Sequence, residues 1–220
     1  MDQDQPRPDL IIFDCDGVLV DSELLSCGCL SEVLAEFGIA LSREQALELF
    51  LGRSTKAIEQ HYRDLGQIVP DGFLPRLKSQ VLTTFAASLE PIPGIAGVIS
   101  DVSVPFCVAS SSDMDRVALS LDVTGLRAHF GERIYTAQMV RHGKPAPDLF
   151  LLAAEKMGVQ PARTLVIEDS VSGVLAGKAA GMTVWGFVGG SHYRSRDGRA
   201  ILSGAGADRV FARMSDLWEA

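Results

Sequence analysis

The chain has 220 residues and a formal net charge of −8 at pH 7, and 47% of its residues are hydrophobic. This composition fits a globular protein with a substantial core, and the excess of acidic residues opposes a broad nucleic-acid interface, which relies on clustered lysine and arginine. No apolar run approaches the roughly 18 residues that a membrane span needs, and the acidic first residues do not resemble a secretory signal. We therefore expect a cytoplasmic protein with no nucleic-acid and no membrane partner.

Short runs rich in β-forming residues recur along the chain, and the segments between the later runs have helical periodicity. The predicted strands lie at residues 10–13, 106–109, 133–135, 164–167 and 183–188, and the predicted helices at about 113–122, 147–157 and 170–180. Strands that alternate with helices indicate a parallel sheet. The predicted fold class is therefore α/β, with a Rossmann-like parallel sheet as its core.

The stretch between the first two predicted strands has a different pattern. It has no strand signal, it carries a capping-box sequence from Ser42 to Gln45, and one apolar stripe is formed by Leu30, Val33, Leu34 and Phe37. A Pro/Gly segment at residues 90–94 ends it, as is typical of a domain boundary. We predict an all-helical cap domain at residues 21–90, inserted into a core domain made of residues 1–20 and 91–220.

Two carboxylates, Asp14 and Asp16, follow the first predicted strand and are succeeded by Gly17. In an open α/β sheet, ligands bind outside the carboxyl ends of the strands. Acidic side chains so close together need either a cation between them or pKa values that are pushed apart, and the glycine allows a sharp backbone turn beside the ligand. The alternative is a solvated turn of the Asp-x-Asp-Gly type.

Other predicted strands also end in polar residues. The second is followed by Ser110, Ser111 and Ser112, whose hydroxyls and backbone N–H groups suit a phosphate, and the fourth by Glu168 and Asp169. Lys144 lies on the Pro-rich approach to a helix. Each feature alone has a structural explanation, a helix cap or a solvated loop charge, but their joint occurrence favours one site in which four carboxylates converge on a hard cation such as Mg²⁺.

An ordered set of motifs resembles the four-motif signature of the haloacid dehalogenase (HAD) superfamily: Asp14-Cys15-Asp16-Gly17-Val18-Leu19-Val20-Asp21-Ser22-Glu23, then Ser110, Lys144-Pro145 and Glu168-Asp169-Ser170. The resemblance covers nearly the whole chain from Leu10. The helical insertion is similar to the cap of the subgroup that contains β-phosphoglucomutase and many small phosphatases. Within that subgroup the first motif looks most like that of sugar-acid phosphatases, 6-phosphogluconate phosphatases among them.

The resemblance assigns a role to each residue that carries it. It makes Asp14 the nucleophile that becomes an aspartyl-phosphate, and Asp16 the general acid and base. It places Lys144 against the phosphate and the nucleophile, and makes Ser110 a hydrogen-bond donor to the phosphate. The Mg²⁺ ligands that it implies are the Asp14 carboxylate, the Asp16 backbone carbonyl, Glu168 and Asp169. Two basic residues of the predicted cap, Arg53 and Lys56, are candidates to meet an anionic substrate.

Three functions compete. The first is a Mg²⁺-dependent phosphatase that acts on a small phosphorylated metabolite, a sugar or sugar-acid phosphate. The second is a phosphosugar mutase, in which the phosphoryl group returns to a sugar hydroxyl; Ser26 stands where the mutase pattern has a histidine, and Thr55 where it has a cap-loop arginine. The third is a non-enzymatic phosphoacceptor, against which the order of the motifs argues. We expect a monomer or a weak homodimer.

Histidine and cysteine residues give no further site. His192 follows the last predicted strand and is expected to be structural or solvated. The four cysteines lack the paired spacing of a zinc site, and reduced thiols are expected.

Overall fold

The computed structural model describes residues 7–218, with the exception of the Lys56 side chain. Six parallel strands form one sheet in the order β3-β2-β1-β4-β5-β6. The strands are β1 (Leu10–Phe13), β2 (Phe106–Ser110), β3 (Ile134–Thr136), β4 (Thr164–Glu168), β5 (Thr183–Phe187) and β6 (Arg209–Phe211). The predicted parallel α/β sheet is therefore confirmed.

The central strand β1 explains why the sheet holds together. Its four residues are fully buried, and they alternate between two apolar clusters: Ile11 and Phe13 join the cluster on one face, and Leu10 and Ile12 join the cluster on the other. Three helices cover the first face and three cover the second. They are α5 (Ile95–Asp101), α6 (Met114–Val123) and α7 (Arg127–Phe130), and then α8 (Asp148–Met157), α9 (Val171–Ala179) and α10 (Gly198–Gly204).

Strand β6 was absent from the sequence-based prediction. It has three residues and pairs with β5 at the edge of the sheet, where Val210 and Phe211 face Gly186 and Phe187. Its length is not the reason that it was missed, since β3 is equally short and was predicted. The pairing of β6 depends on the edge that β5 offers, which no local pattern in the sequence reveals.

Four helices form the insertion between β1 and β2, and no strand occurs there in the described part of the chain. They are α1 (Glu23–Glu36), α2 (Arg43–Phe50), α3 (Thr55–Asp64) and α4 (Phe73–Ser88). Of the predicted stripe, Leu30, Val33 and Leu34 are buried, while Phe37 is partly buried and meets the ring of Phe73 edge-on, with 5.9 Å between centroids. The predicted all-helical cap is confirmed.

The two chain segments that connect the insertion to the core run side by side. The Asp21 N–H donates to the Glu90 carbonyl at 2.9 Å, and the Ile92 N–H donates to the Leu19 carbonyl at 2.9 Å. Val20 and Pro91 form an antiparallel bridge between these bonds. The predicted domain boundaries, 20/21 and 90/91, fall in this paired segment, and the division into two domains stays a prediction.

Two smaller expectations concern the membrane and the cysteines. Within residues 7–218 no helix is both long and apolar enough to cross a bilayer. The four cysteines are buried and free, as expected.

The predicted capping box at α2 gives a test of cap stability. The Ser42 hydroxyl accepts from the Gln45 N–H at 3.2 Å, and the Gln45 side chain accepts from the Ser42 N–H at 2.8 Å. Because Ser42→Ala leaves one N–H of the first helical turn without its partner, we expect it to lower the free energy of unfolding by about 1 kcal/mol in urea titrations. Ser54→Ala is the matched control, since Ser54 is the N-cap of α3 but makes no side-chain capping bond within the described residues. Equal losses for the two variants would contradict the capping role.

Candidate functional site

The side chains singled out at the strand ends meet at one edge of the sheet. Phe13 is paired with Val108 of β2 and with Ile167 of β4, so that Asp14 emerges beside the last residues of both neighbouring strands. The structure brings together the acidic residues and the lysine that the sequence singles out, all of them buried: Asp14, Asp16, Lys144, Glu168 and Asp169.

Lys144 holds two of the carboxylates. Its Nζ donates to Asp14 Oδ1 at 2.6 Å, to Glu168 Oε1 at 2.8 Å and to the Ala109 carbonyl at 3.0 Å, so all three ammonium hydrogens have acceptors. Burial alone would lower the pKa of Lys144, but the carboxylates of Asp14 and Glu168 outweigh it and hold that pKa above its usual value. Lys144 is therefore a fixed positive charge beside Asp14.

Glu168 connects this lysine to the start of α9. Its second oxygen, Oε2, accepts from the Ser170 N–H at 2.6 Å and from the Ser170 hydroxyl at 3.0 Å. A Cβ atom added to Gly173 would lie 1.7 Å from Glu168 Oε1, so the helix can approach the carboxylate because that position has no side chain. Both Glu168 oxygens are thus engaged by protein donors, which makes Glu168 first of all the group that orients Lys144.

Asp169 has no such partners. The residue is fully buried, and among residues 7–218 no donor forms a hydrogen bond with either of its carboxylate oxygens. His192 Nε2 lies 3.1 Å from Asp169 Oδ2 without hydrogen-bond geometry. Burial and the neighbouring carboxylates, Glu168 first among them, raise the pKa of Asp169 well above its usual value. A buried carboxylate without donors is costly unless a cation or a proton neutralises it.

A metal ion fits this part of the site. One carboxylate oxygen each from Asp14, Glu168 and Asp169 can be chosen so that all lie within 4.8 Å of one another. Oxygen ligands suit a hard divalent cation, and such an ion would satisfy the two orphaned oxygens of Asp169. The backbone of Gly17 packs directly against Asp169. Its φ is +76°, and a Cβ atom added to it would lie 1.8 Å from Asp169 Oδ2. A side chain at position 17 would therefore obstruct the acidic cluster.

The Asp16 side chain has a different environment from Asp14. Its carboxylate accepts from Arg116 Nη2 at 2.6 Å, from the Ser22 hydroxyl at 2.7 Å and from the Ser112 hydroxyl at 2.7 Å. Burial raises the pKa of Asp16, but the Arg116 charge and these donors outweigh burial and hold the pKa below its usual value. In Asp14 burial dominates, and the pKa is raised. The two aspartates, one residue apart, thus have pKa values shifted in opposite directions.

The three consecutive serines that begin with the last residue of β2 do not make the same contacts. Ser110 is buried, and its Oγ accepts from the Ser112 N–H at 3.0 Å, while the Ser112 hydroxyl binds Asp16. The Ser111 hydroxyl donates instead to the Gly52 carbonyl of the insertion, at 3.2 Å. None of them is the N-cap of α6, which is Asp113. Ser110 and Ser112 therefore face the acidic site, and Ser111 contacts the insertion.

The loop after α2 closes over the core at Gly52. Its carbonyl also accepts from the Ser172 hydroxyl at 3.0 Å, and a Cβ at this position would lie 2.3 Å from Ser170. Arg53 follows in the loop. It is exposed, and it lies at the rim of a cavity between the insertion and the strand ends. Lys56 lies in α3, but its side chain is outside the described residues, and its predicted contact with substrate stays a prediction.

A cavity separates the insertion from the strand ends. On the core side it is lined by Asp14, Asp16, Ser112 and Arg116, and on the insertion side the polar residues Glu23 and Ser26 belong to α1. The remaining wall, from α1 to α4, is mostly apolar, although Thr55 and Lys78 also belong to it; its apolar residues are Cys27, Leu30, Phe50, Ile58, Leu77, Val81 and Leu82. Asp14 and Asp16 thus face a space that is polar at the core and apolar toward the insertion.

Sequence reasoning missed several residues of the site. Arg116 and Ser22 bind Asp16, and Glu23 lines the cavity, yet each lies in or beside a helix where a charged or hydroxyl side chain is ordinary. The signal for Ser22 and Glu23 was that both belong to the first motif, where they were given no role, and the signal for Arg116 was that it follows soon after Ser110. His192, expected to be structural or solvated, is 1% exposed, so the solvated alternative is wrong.

Comparisons with known proteins agree with this geometry. A family model described as haloacid dehalogenase-like hydrolase matches residues 11–187. The chain is 28% identical over 191 residues to the 6-phosphogluconate phosphatase of Escherichia coli (strain K12), which covers 84% of this chain and 85% of the relative. It is 36% identical over 175 residues to the fructose-1-phosphate phosphatase YqaB of the same organism, covering 78% and 92%.

A solved structure supports the assignment. The crystal structure of a haloacid dehalogenase-like protein from Agrobacterium tumefaciens str. C58 superimposes with a TM-score of 0.79 at 38% sequence identity, over 95% of each chain. The family match extends over the first strand, the helical insertion and the sheet as far as β5, and therefore includes every residue of the acidic site. The chain belongs to the haloacid dehalogenase-like hydrolase family and is a phosphoric monoester hydrolase.

Proposed function

We propose that this protein is a Mg²⁺-dependent phosphatase that hydrolyses a small phosphorylated metabolite through an aspartyl-phosphate on Asp14. The observation that carries the proposal is the different pairing of two aspartates in one cavity: Asp14 binds Lys144, and Asp16 binds Arg116. Two carboxylates in different electrostatic environments suit one nucleophile and one group that transfers protons. The names of the two phosphatases compared above support a sugar or sugar-acid phosphate as substrate.

Asp14 is the nucleophile in this proposal. Its Oδ1 is held by the Lys144 ammonium at 2.6 Å, which orients the carboxylate and places a positive charge where the phosphate oxygens would bind. The Ser110 and Ser112 hydroxyls are close enough to Asp16 to border the same phosphate position. Attack of the Asp14 carboxylate on phosphorus forms the acyl-phosphate and releases the alcohol oxygen.

Asp16 transfers protons in both half-reactions. It first delivers a proton to the departing oxygen and then, as a carboxylate, accepts one from the water that hydrolyses the acyl-phosphate. Arg116 and the hydroxyls of Ser22 and Ser112 keep its carboxylate in one orientation on the cavity wall. The ionised form that these donors favour is the form that the second half-reaction requires. For the first half-reaction Asp16 must enter protonated, and the proton that it gives to the alcohol oxygen is the one that it regains from water in the second.

Mg²⁺ is the proposed cofactor. Asp14, Asp169 and the backbone carbonyl of Asp16 would hold it directly, and Glu168 through water, because both Glu168 oxygens already accept hydrogen bonds. When bound, the ion supplies positive charge that reduces the repulsion between the Asp14 carboxylate and the anionic phosphate. The orphaned oxygens of Asp169 are the structural observation that favours this assignment.

The remaining parts of the proposal concern the enzyme's setting. We propose a cytoplasmic enzyme that is a monomer or a weak homodimer and that acts on a small molecule. Residues 21–90 would act as a cap domain over the core of residues 1–20 and 91–220, since the cavity lies between the two. Arg53, exposed at the rim of that cavity, remains the proposed contact for an anionic group of the substrate.

The first test of the proposed function concerns the nucleophile. Asp14→Asn should lower phosphate release from any substrate by about a thousandfold or more at saturating Mg²⁺, because a neutral amide cannot form the acyl-phosphate. Phosphate release is measured colorimetrically, and Asp122→Asn, on the exposed face of α6, is the control. Retention of about a tenth of the wild-type rate would rule out covalent catalysis by Asp14.

The second prediction concerns the metal site. Asp169→Asn removes the charge of the carboxylate that lacks protein donors, and we expect the Mg²⁺ concentration for half-maximal activity to rise by about tenfold or more. The measurement is a Mg²⁺ titration of initial rates on chelator-treated enzyme. Asp148→Asn, outside the cluster, should leave the titration curve in place. A curve that is also unchanged in Asp169→Asn would remove Asp169 from the metal site.

The third prediction separates hydrolysis from phosphoryl return. Ser26 occupies the position of the mutase histidine, and its hydroxyl accepts from Arg116 Nη2 at 2.8 Å. With β-glucose 1-phosphate, we therefore expect the wild-type enzyme to release free phosphate and to form little glucose 6-phosphate, because Ser26 and Thr55 replace the histidine and the arginine of the mutase pattern. Coupled enzymatic assays measure both products. Faster accumulation of glucose 6-phosphate, above all after addition of a bisphosphate primer, would establish the mutase in place of the phosphatase.

A further inference from the structure

Glu23 is a buried carboxyl that faces the cavity without a partner. It is the first residue of α1, it is 5% exposed, and its side chain contributes to the cavity wall. Across the described chain, no hydrogen bond or ion pair involves its carboxyl group. Buried polar side chains in proteins are nearly always hydrogen-bonded, so a carboxyl left in this state at a cavity points to a ligand.

The neighbours of Glu23 are already engaged. Residues 23, 26, 27 and 30 of α1 line the cavity at the spacing of one helix face. The Ser26 hydroxyl donates to the Ser22 carbonyl at 2.9 Å and accepts from Arg116, whose Nη2 also binds Asp16. The Ser26 hydroxyl and Arg116 Nη2 are thus engaged, although Arg116 Nε has no partner, whereas the Glu23 carboxyl has its hydrogen-bonding capacity free for a molecule in the cavity.

The position of Glu23 along α1 defines which part of a ligand it would meet. Ser22, the preceding residue, binds Asp16 through its hydroxyl at 2.7 Å, so Glu23 lies at the end of α1 nearest the reacting groups. Leu30 is seven residues further along the same face, roughly 10 Å away at 1.5 Å per residue. Glu23 is thus a polar residue next to the part of the cavity lined by Asp14 and Asp16, and the wall further along α1 is apolar.

The protonation of Glu23 is consistent with a neutral ligand group. Burial, followed by the charges of Asp169 and Asp16, raises the pKa of Glu23 to about 8. A protonated carboxyl has one donor and an acceptor oxygen, and an alcohol hydroxyl offers the same pair. The two groups are therefore complementary hydrogen-bonding partners.

We propose that Glu23 is a specificity-determining residue that hydrogen-bonds a hydroxyl of the leaving group close to the phosphate ester. The inference rests on the proposed phosphatase function and narrows its substrates to phosphate esters of hydroxylated alcohols, that is, of polyols or sugars. An ester whose alcohol lacks that hydroxyl would leave the Glu23 carboxyl buried and unpaired, which disfavours its transition state.

A matched pair of esters tests the proposal. Sorbitol 6-phosphate and n-hexyl phosphate both release a six-carbon primary alcohol, and they differ in the hydroxyl groups. We expect Glu23→Met, which keeps the length of the side chain but removes its polar atoms, to lower the ratio of their kcat/KM values by about tenfold or more. Glu23→Gln should retain most of the ratio, since an amide also donates and accepts. Glu32→Met, on the exposed face of α1, is the control and should keep the wild-type ratio.

Binding separates this inference from the proposed function. In the Asp14→Asn background, calorimetry should show that Glu23→Met weakens binding of sorbitol 6-phosphate by about tenfold more than binding of n-hexyl phosphate. Glu23→Ala serves as a second apolar variant if Glu23→Met does not fold. Equal losses for the two esters, in either the kinetic or the binding comparison, would overturn the role of Glu23. Absence of phosphate release from both esters in the wild type would overturn the phosphatase, and the binding comparison would still decide the present inference.

Discussion

The contact between Lys144 and the carboxylates of Asp14 and Glu168 is the interaction on which the rest of the site depends. Several acids lie buried at the ends of β1 and β4, and burial of like charges in one place is unfavourable unless cations compensate them. Lys144 compensates Asp14 and Glu168, and Arg116 compensates Asp16, whereas no lysine or arginine among residues 7–218 pairs with Asp169, whose neighbour His192 makes no hydrogen bond to it. This uncompensated charge is the feature by which the acidic cluster could hold a metal ion.

The sheet could be predicted because most of its strands are short, continuous runs of apolar residues in the sequence. Residues 10–13 form a continuous buried run, and the register of β1 with β2 and β4 brings the polar residues that follow them to one edge. The order of the motifs then identifies the acids and Lys144. Edge strand β6 was not predicted, because its formation depends on pairing with the edge of β5, which no local pattern reveals.

Ser22 and Arg116 were not recognised as site residues, because the sequence around each of them has a more ordinary structural explanation. Ser22 has the position of an N-cap, yet its hydroxyl binds Asp16 and makes no capping bond to the described part of α1. Arg116 lies within α6, 100 residues from Asp16 in sequence, and its guanidinium also stacks over Phe85 of the insertion at 4.9 Å. Such contacts between the insertion and the core arise from tertiary packing, which neither local spacing nor composition encodes.

The paired connecting segments have a consequence for how the family can diversify. Because the chain leaves the core at Asp21 and returns at Glu90 through hydrogen-bonded neighbours, the ends of the insertion are adjacent whatever lies between them. Loop-closure entropy grows slowly with length, so a folded module of a different size can be accepted there without strain in the sheet. On the proposed function, the chemistry assigned to the strand ends and the recognition assigned to the insertion are then separable, and exchange of this module would give one framework access to new substrates.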